Sequence, residues 1–224
     1  MATVAAFYTA QALVGPCSET FADLLPDSRL INIVDDGFIS DVISNNGMNS
    51  DLGRRLLRSF EAAEAAGADY IFSTCSSIGD YIESARQFIR IPIVRIDAAM
   101  AIKAVTQVSR VAVLATLATT LGPTVRLVQR HARRLERDVE LIEGLAQGAF
   151  QALQGGDMET HNRLILETAK KLSDRAELFL LAQGSMAAMG KKLEEETGKP
   201  ILTSLGSGLS YLKDVVENGA DANT

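Results

Sequence analysis

The feature of this sequence that most constrains its fold is an internal repeat. Similar segments recur at an almost constant separation along the chain. Pairs 108 residues apart are Arg29 with Arg137, Arg55-Leu56-Leu57 with Arg163-Leu164-Ile165, and Pro92-Ile93 with Pro200-Ile201; Val4–Thr9 and Val111–Thr116 are 107 apart. The separation favours a duplication, with chance similarity between unrelated strand–helix units as the alternative. We therefore expect two similar lobes, each about a hundred residues long, within the usual size range of a folding unit.

Short runs rich in Val, Ile and Leu alternate with longer stretches of helical periodicity. The runs are Val4–Tyr8, Leu30–Val34, Tyr70–Phe72, Ile91–Ile96, Val111–Leu114, Val139–Ile142, Leu178–Leu181 and Ile201–Leu202. The helical stretches are Leu52–Ala66, Gly79–Phe88, Thr120–Leu135, Met158–Ala176, Ala187–Thr197 and Leu209–Glu217. Continuous apolar runs are typical of strands covered on both faces, as in parallel sheets. The predicted fold is α/β with two duplicated lobes, each containing a parallel sheet, formed by residues 1–97 plus 205–224 and by residues 98–204.

Charge and composition argue against several classes of function. The net charge of −6 disfavours a nucleic-acid partner. With only two cysteines and two histidines, neither a disulfide scaffold nor a metal site built on these residues is expected. No apolar stretch is long enough for a membrane span, and the first residues lack the basic leader of a secretory signal. We therefore expect a cytoplasmic protein with no membrane partner.

Hydroxyl-bearing residues follow the strands at the ends where ligands bind in parallel sheets. The loops are Thr9-Ala10-Gln11 and Ser73-Thr74-Cys75-Ser76-Ser77 in the first lobe, and Thr116-Leu117-Ala118-Thr119-Thr120 and Ala182-Gln183-Gly184-Ser185-Met186 in the second. Hydroxyls and backbone N–H groups at a helix N-terminus suit a carboxylate. The alternative is that these residues only cap helices.

Cys75 is the most distinctive single residue. At the end of a strand and the start of a helix, its thiolate would be favoured by the helix N-terminus, which predicts a lowered pKa. The alternative is a buried, inert cysteine. Cys17 has no partner in the second lobe and is interpreted as structural.

The duplication and these loops together resemble the aspartate/glutamate/hydantoin racemase superfamily, which includes arylmalonate decarboxylase and maleate isomerase. The resemblance implies a pocket between the lobes, a homo-oligomer, and a small carboxylic acid substrate processed without metal or cofactor. It implies one cysteine per lobe, one removing and the other delivering a proton next to the carboxylate. Carried over to this chain, it assigns catalysis to Cys75 and substrate binding to Thr9, Gln11, Ser76, Ser77, Thr116, Thr119, Thr120, Gln183, Gly184 and Ser185.

The second lobe departs from this pattern, because the residue 108 positions after Cys75 is Gln183. Glutamine does not transfer protons usefully at neutral pH. An isomerase or racemase acting through Cys75 is the leading hypothesis. A one-cysteine decarboxylase or other lyase, a nucleophilic cis–trans isomerase and a non-catalytic small-acid binding protein are the alternatives. Asp35 and Glu143, 108 residues apart at predicted strand ends, are candidates for a second acid or base.

Overall fold

The computed structural model describes residues 1–222 and divides into two compact units. The first unit is formed by Met1–Ala98 and the chain from Leu205 onward, and the second by Ala99–Ser204. Asn223 and Thr224, which the sequence assigned to the first lobe, lie outside the described residues.

The first unit is built on a four-stranded parallel sheet with strand order β2-β1-β3-β4. Its strands are β1 (Thr3–Tyr8), β2 (Arg29–Val34), β3 (Tyr70–Ser73) and β4 (Ile93–Arg95). Its helices are α1 (Val14–Leu24), α2 (Phe38–Ser44), α3 (Ser50–Ala65) and α4 (Gly79–Ala85), with 3₁₀ turns at Gln11–Leu13 and Ser76–Ile78. Helix α3 begins where the Asn49 side chain accepts the N–H groups of Asp51 and Leu52.

Both faces of this sheet are buried, which is why its strands are apolar without alternation. One face packs Ala5, Phe7 and Ile71 against helices α2, α3 and α4. The other face packs Val4, Ala6 and Phe72 against α1 and against helix α10 (Ser204–Asn218). The chain thus returns after the second unit to complete the core of the first.

The second unit repeats this topology, with a parallel sheet in the order β6-β5-β7-β8. Its strands are β5 (Arg110–Ala115), β6 (Glu140–Leu145), β7 (Leu178–Leu181) and β8 (Ile201–Thr203). Its helices are α5 (Ala98–Gln107), α6 (Ala118–Arg134), α7 (Ala149–Gln154), α8 (Met158–Leu172) and α9 (Gly190–Thr197), with a 3₁₀ helix at Gly184–Met189. Helices α5 and α6 cover one face of the sheet, and α7, α8 and α9 cover the other.

The backbone register confirms the duplicated α/β fold. The Ile71 N–H donates to Pro92 O at 2.9 Å, and the Phe179 N–H donates to Pro200 O at 3.0 Å, so the two prolines are equivalent. The carboxylates at positions 69 and 177 repeat this relation: Asp69 accepts the Thr3 N–H at 2.7 Å, and Glu177 accepts the N–H groups of Ser109 and Arg110, each at 3.0 Å.

One predicted pairing within the repeat is wrong. Arg29 pairs with Thr3 as Glu140 pairs with Arg110, so Arg29 matches Glu140 rather than Arg137. The shift arises because α6 has 17 residues where α1 has 11, which delays β6 relative to β2. The 108-residue separation returns at the helix caps Asn49 and Asp157, after the shorter connection that follows β6.

No helix within residues 1–222 is long and apolar enough to span a membrane.

Candidate active site

Three loops of the first unit emerge at the carboxyl edge of its sheet, where the sequence predicted a site. The Thr74 N–H and hydroxyl both donate to Phe7 O, at 3.1 and 2.9 Å, which ties the loop after β3 to the end of β1. The Ile96 N–H donates to Ser73 O at 2.9 Å and ties in the end of β4. Thr9 and Cys75 are the residues that follow these anchored positions.

Cys75 is buried, with 8% of its surface exposed, and its sulfur is surrounded by hydrogen-bond donors. The Thr9 hydroxyl, the N–H groups of Ser77 and Ile78 and the Ser77 hydroxyl all favour the thiolate and lower its pKa. Burial of the sulfur outweighs them, so the pKa of Cys75 lies above its ordinary value. The predicted lowering of this pKa is therefore wrong, although the predicted donors are present.

The other predicted residues of the first unit differ in their surroundings. Thr9 and Ser76 are buried and Ser77 is half-buried beside the thiol. Gln11 is exposed in the short 3₁₀ turn that precedes α1. The structure thus brings Thr9, Ser77 and Cys75 together and leaves Gln11 at the surface of the unit.

In the second unit Gln183 occupies the position that matches Cys75. The Ala182 N–H donates to Leu114 O at 2.9 Å, as that of Thr74 does to Phe7 O, which confirms the equivalence. Gln183 Oε1 accepts the N–H of Thr116 at 2.6 Å and its hydroxyl at 2.9 Å. The threonine that follows the first strand therefore contacts the residue at this loop position in both units, a thiol in one and an amide in the other.

The amide of Gln183 has a defined orientation. Both Thr116 groups are donors, so the oxygen must face them and the nitrogen must point elsewhere. This nitrogen makes no hydrogen bond to any residue in the range 1–222. Its two N–H groups are therefore available to a ligand.

The remaining predicted residues of the second unit lie in two turns. Thr119 and Thr120 are in the first turn of α6, and the Thr119 hydroxyl is buried without a partner among the described residues. Gly184 and Ser185 open the 3₁₀ helix Gly184–Met189, with Ser185 exposed. The Thr119 hydroxyl is thus a second unused donor in this unit.

Neither predicted second acid or base occupies the position expected of it. The Asp35 carboxylate forms a two-pronged ion pair with Arg55, whose Nε lies 2.6 Å from Oδ2 and whose Nη2 contacts Oδ1. Glu143 is exposed within β6. The two are not equivalent, because the residue that matches Asp35 after β6 is Ala146. Their predicted correspondence rested on the 108-residue separation, which does not hold for β2 and β6.

Cys17 lies in the core of the first unit. It is completely buried, packs with Tyr8 and Phe21, and has a pKa raised by burial. This surrounding agrees with its interpretation as a structural residue. Within residues 1–222, no three His, Cys, Asp or Glu side chains cluster closely enough to hold a metal ion.

The sequence analysis overlooked Arg95 and Asp97, two buried charged residues at the end of β4. They form an ion pair directly beneath the loop that carries Cys75, through a contact with Gly79. The signal was present, since an arginine within the apolar run Ile91–Ile96 needs a buried partner.

Comparison with known proteins agrees with this architecture. The family model Asp/Glu/Hydantoin racemase matches residues 9–211. Glutamate racemase from Francisella tularensis superposes with a TM-score of 0.76 at 14% identity, covering 97% of this chain and 82% of that protein. A putative Asp/Glu racemase from Yersinia pestis gives 0.74 at 17% identity, covering 96% and 98%. Allantoin racemase from Klebsiella pneumoniae gives 0.64 at 16% identity, covering 99% and 90%. No curated protein sequence matches the chain.

The fold and the site define a duplicated parallel α/β protein with a single thiol at the carboxyl edge of one sheet. The chain belongs to the Asp/Glu/Hydantoin racemase family.

Proposed function

We propose that this protein is a cofactor-independent isomerase that acts on the carbon next to the carboxylate of a small acid, with Cys75 as its proton-transfer residue. The proposal rests on one observation above all: the Cys75 sulfur is buried among one or more hydroxyls and two backbone N–H groups. Such a setting stabilises a thiolate formed during a reaction, because its donors are fixed in advance.

The chemistry follows from the protonation state of this thiol. Because burial raises its pKa, Cys75 is mostly protonated at neutral pH in the free protein. It can give its proton to a carbanion next to a carboxylate, and the resulting thiolate accepts hydrogen bonds from Thr9, Ser77 and Ile78. In the reverse direction the thiolate removes a proton from the same carbon. Proton transfer of this kind contributes about 10²–10⁴-fold to a rate.

The carboxylate is proposed to bind through the hydroxyl-bearing loops. Unused donors support this assignment: the buried hydroxyl of Thr119 and the two N–H groups of Gln183. Ser76, Ser77, Thr120, Gly184 and Ser185 belong to the same strand-end loops, and Gln11 follows Thr9. A carboxylate presents about four lone pairs and is well matched to such a set of neutral donors.

Gln183 favours a second candidate function, a decarboxylase. An acid that carries two carboxylates on one carbon would lose carbon dioxide, and the electron pair left on that carbon would take the Cys75 proton. Water would then return a proton to the thiolate. This reaction needs one thiol and a neutral donor near the other carboxylate, and Gln183 is such a donor.

A panel of small carboxylates tests both candidates. Amino, hydroxy and aryl acids and substituted malonates would be screened by thermal shift, since a ligand that binds the native state raises the melting temperature. Proton NMR in heavy water then distinguishes the reactions. Exchange next to the carboxylate supports the isomerase, and loss of carbon dioxide supports the decarboxylase. Binding without either reaction would contradict both and indicate a binding protein.

A further inference from the structure

A buried ionic cluster lies at the end of β4 in the first unit. The Arg95 guanidinium, 1% exposed, donates through Nε to Asp97 Oδ1 and through Nη2 to Asp97 Oδ2, both at 2.9 Å. Its Nη1 donates to Glu83 Oε1 in α4 at 3.0 Å, and Glu83 also pairs with Arg86 at 3.2 Å. Buried ion pairs of this kind seldom increase stability over well-packed apolar residues, so a role beyond stability is a reasonable expectation.

The guanidinium lies against the backbone of the turn that follows Cys75. A Cβ atom at Gly79 would lie only 2.5 Å from Arg95 Cζ and 2.8 Å from Nη1, so no larger residue fits there without displacing Arg95. Gly79 is the first residue of α4 and directly follows the turn Ser76–Ile78. Two residues of that turn, Ser77 and Ile78, direct their N–H groups at the Cys75 sulfur. Arg95 is therefore one residue removed from the donors of the thiol.

The second unit has no such cluster at the matching place. Arg95 pairs with Ser73 as Thr203 pairs with Leu181, so Thr203 is the equivalent of Arg95. A Cβ atom at Gly190, the first residue of α9, would lie 3.6 Å from the Thr203 methyl group, which is ordinary contact. The guanidinium thus accompanies the thiol in one unit, and a threonine accompanies Gln183 in the other.

We propose that Arg95 is a positioning residue, which holds the turn Ser76–Ile78 against Cys75 through its contact with Gly79. Asp97 and Glu83 fix the guanidinium plane from two sides, and the plane limits where α4 can begin. The turn is thereby kept at the distance at which the N–H groups of Ser77 and Ile78 reach the sulfur. The catalytic meaning of this inference rests on the proposed function, but its physical content concerns the thiol alone.

The test measures the thiol directly and needs no substrate. Alkylation of Cys75 by iodoacetamide is followed by mass spectrometry as a function of pH in wild type, Arg95→Gln, Arg95→Lys and Gly79→Ala. Two matched controls are Gly206→Ala, at a helical glycine with nothing within 4 Å of its Cβ position, and Arg55→Lys, in the ion pair with Asp35. Circular dichroism and thermal melting show which variants are folded.

We expect the alkylation midpoint of Cys75 to move upward by about one pH unit in Arg95→Gln and Gly79→Ala, which corresponds to a tenfold loss of thiolate at neutral pH. Arg95→Lys should recover part of the shift, and the controls should match wild type. An unchanged midpoint in folded variants would overturn the proposal. So would a downward midpoint with faster alkylation, because Arg95 would then only keep the loop closed. If Arg95→Gln does not fold, Gly79→Ala and Arg95→Lys decide.

The outcome is separable from that of the proposed function. A protein that processes no acid can still show the midpoint shift, and an active enzyme can lack it.

Discussion

The contact between Gln183 and Thr116 gives a quantitative prediction for position 183. Thr116 is 4% exposed, and Gln183 Oε1 is the acceptor for both its N–H and its hydroxyl. In Gln183→Ala the buried N–H loses its acceptor, whereas the hydroxyl can rotate. An unsatisfied buried donor costs about 1–3 kcal/mol, so the free energy of unfolding should fall by about that amount. Gln183→Glu keeps an oxygen at this place and should remain close to wild type in stability.

Urea unfolding at neutral pH measures these free energies. Gln129→Ala, at an exposed position of α6, is the matched control and should change the free energy by less than about 0.5 kcal/mol. Ligand affinity separates the two ends of the amide, because Gln183→Glu retains the acceptor but loses the N–H donors and adds a charge that repels a carboxylate. A Gln183→Ala variant as stable as wild type would refute the structural reasoning. Unchanged carboxylate affinity in Gln183→Glu would refute the assignment of the amide nitrogen to the ligand.

Three further predictions concern the two units. Ser76→Ala and Thr119→Val should each weaken binding of the carboxylate found in the ligand screen by about 1–3 kcal/mol in calorimetry, and unchanged affinity in both would contradict the carboxylate-binding assignment. Gln183→Cys should gain or increase racemisation measured by chiral chromatography, since it restores the second thiol of the family pattern; no gain in a folded variant would count against two-thiol inversion on this scaffold. The N–H groups of Ser109 and Arg110 lower the pKa of Glu177, so its stabilising effect is present above about pH 4.3, the ordinary pKa of glutamate, and is lost as the pH falls below it. Glu177→Gln should therefore differ from wild type in urea unfolding at pH 7 and converge with it at low pH, and a constant difference would contradict this origin.

The sheet strands could be predicted from the sequence because each is buried on both faces. Runs such as Val111–Leu114 and Leu178–Leu181 contain almost nothing but branched apolar residues, and the structure places strands there. Helices α2, α5 and α7 were not predicted. The sequence of α5 is nearly all small and apolar, without a polar face to reveal a helical period, and α7 has only six residues.

The site was predictable to the level of its loops. Strand ends located Cys75 and Gln183, because parallel strands place their carboxyl ends along one edge. The pKa direction of Cys75 was not predictable, since the helix-end donors are local whereas burial depends on how Ile78 and Ile82 pack around the sulfur in the folded core. Arg95 was missed for a related reason: its partner Asp97 is two residues away, but its contact with Gly79 exists only in the folded unit.

The central claim is that Cys75 alone transfers the proton. Its most direct test is hydrogen–deuterium exchange, next to the carboxylate of the acid found by thermal shift, in wild type, Cys75→Ala and Cys17→Ala. We predict that Cys75→Ala loses about 10²–10⁴-fold in exchange rate while it still binds the acid, and that Cys17→Ala, which alters the other free thiol, continues to exchange. Full exchange by Cys75→Ala would contradict the account and leave this chain with the fold of its family but a different chemistry.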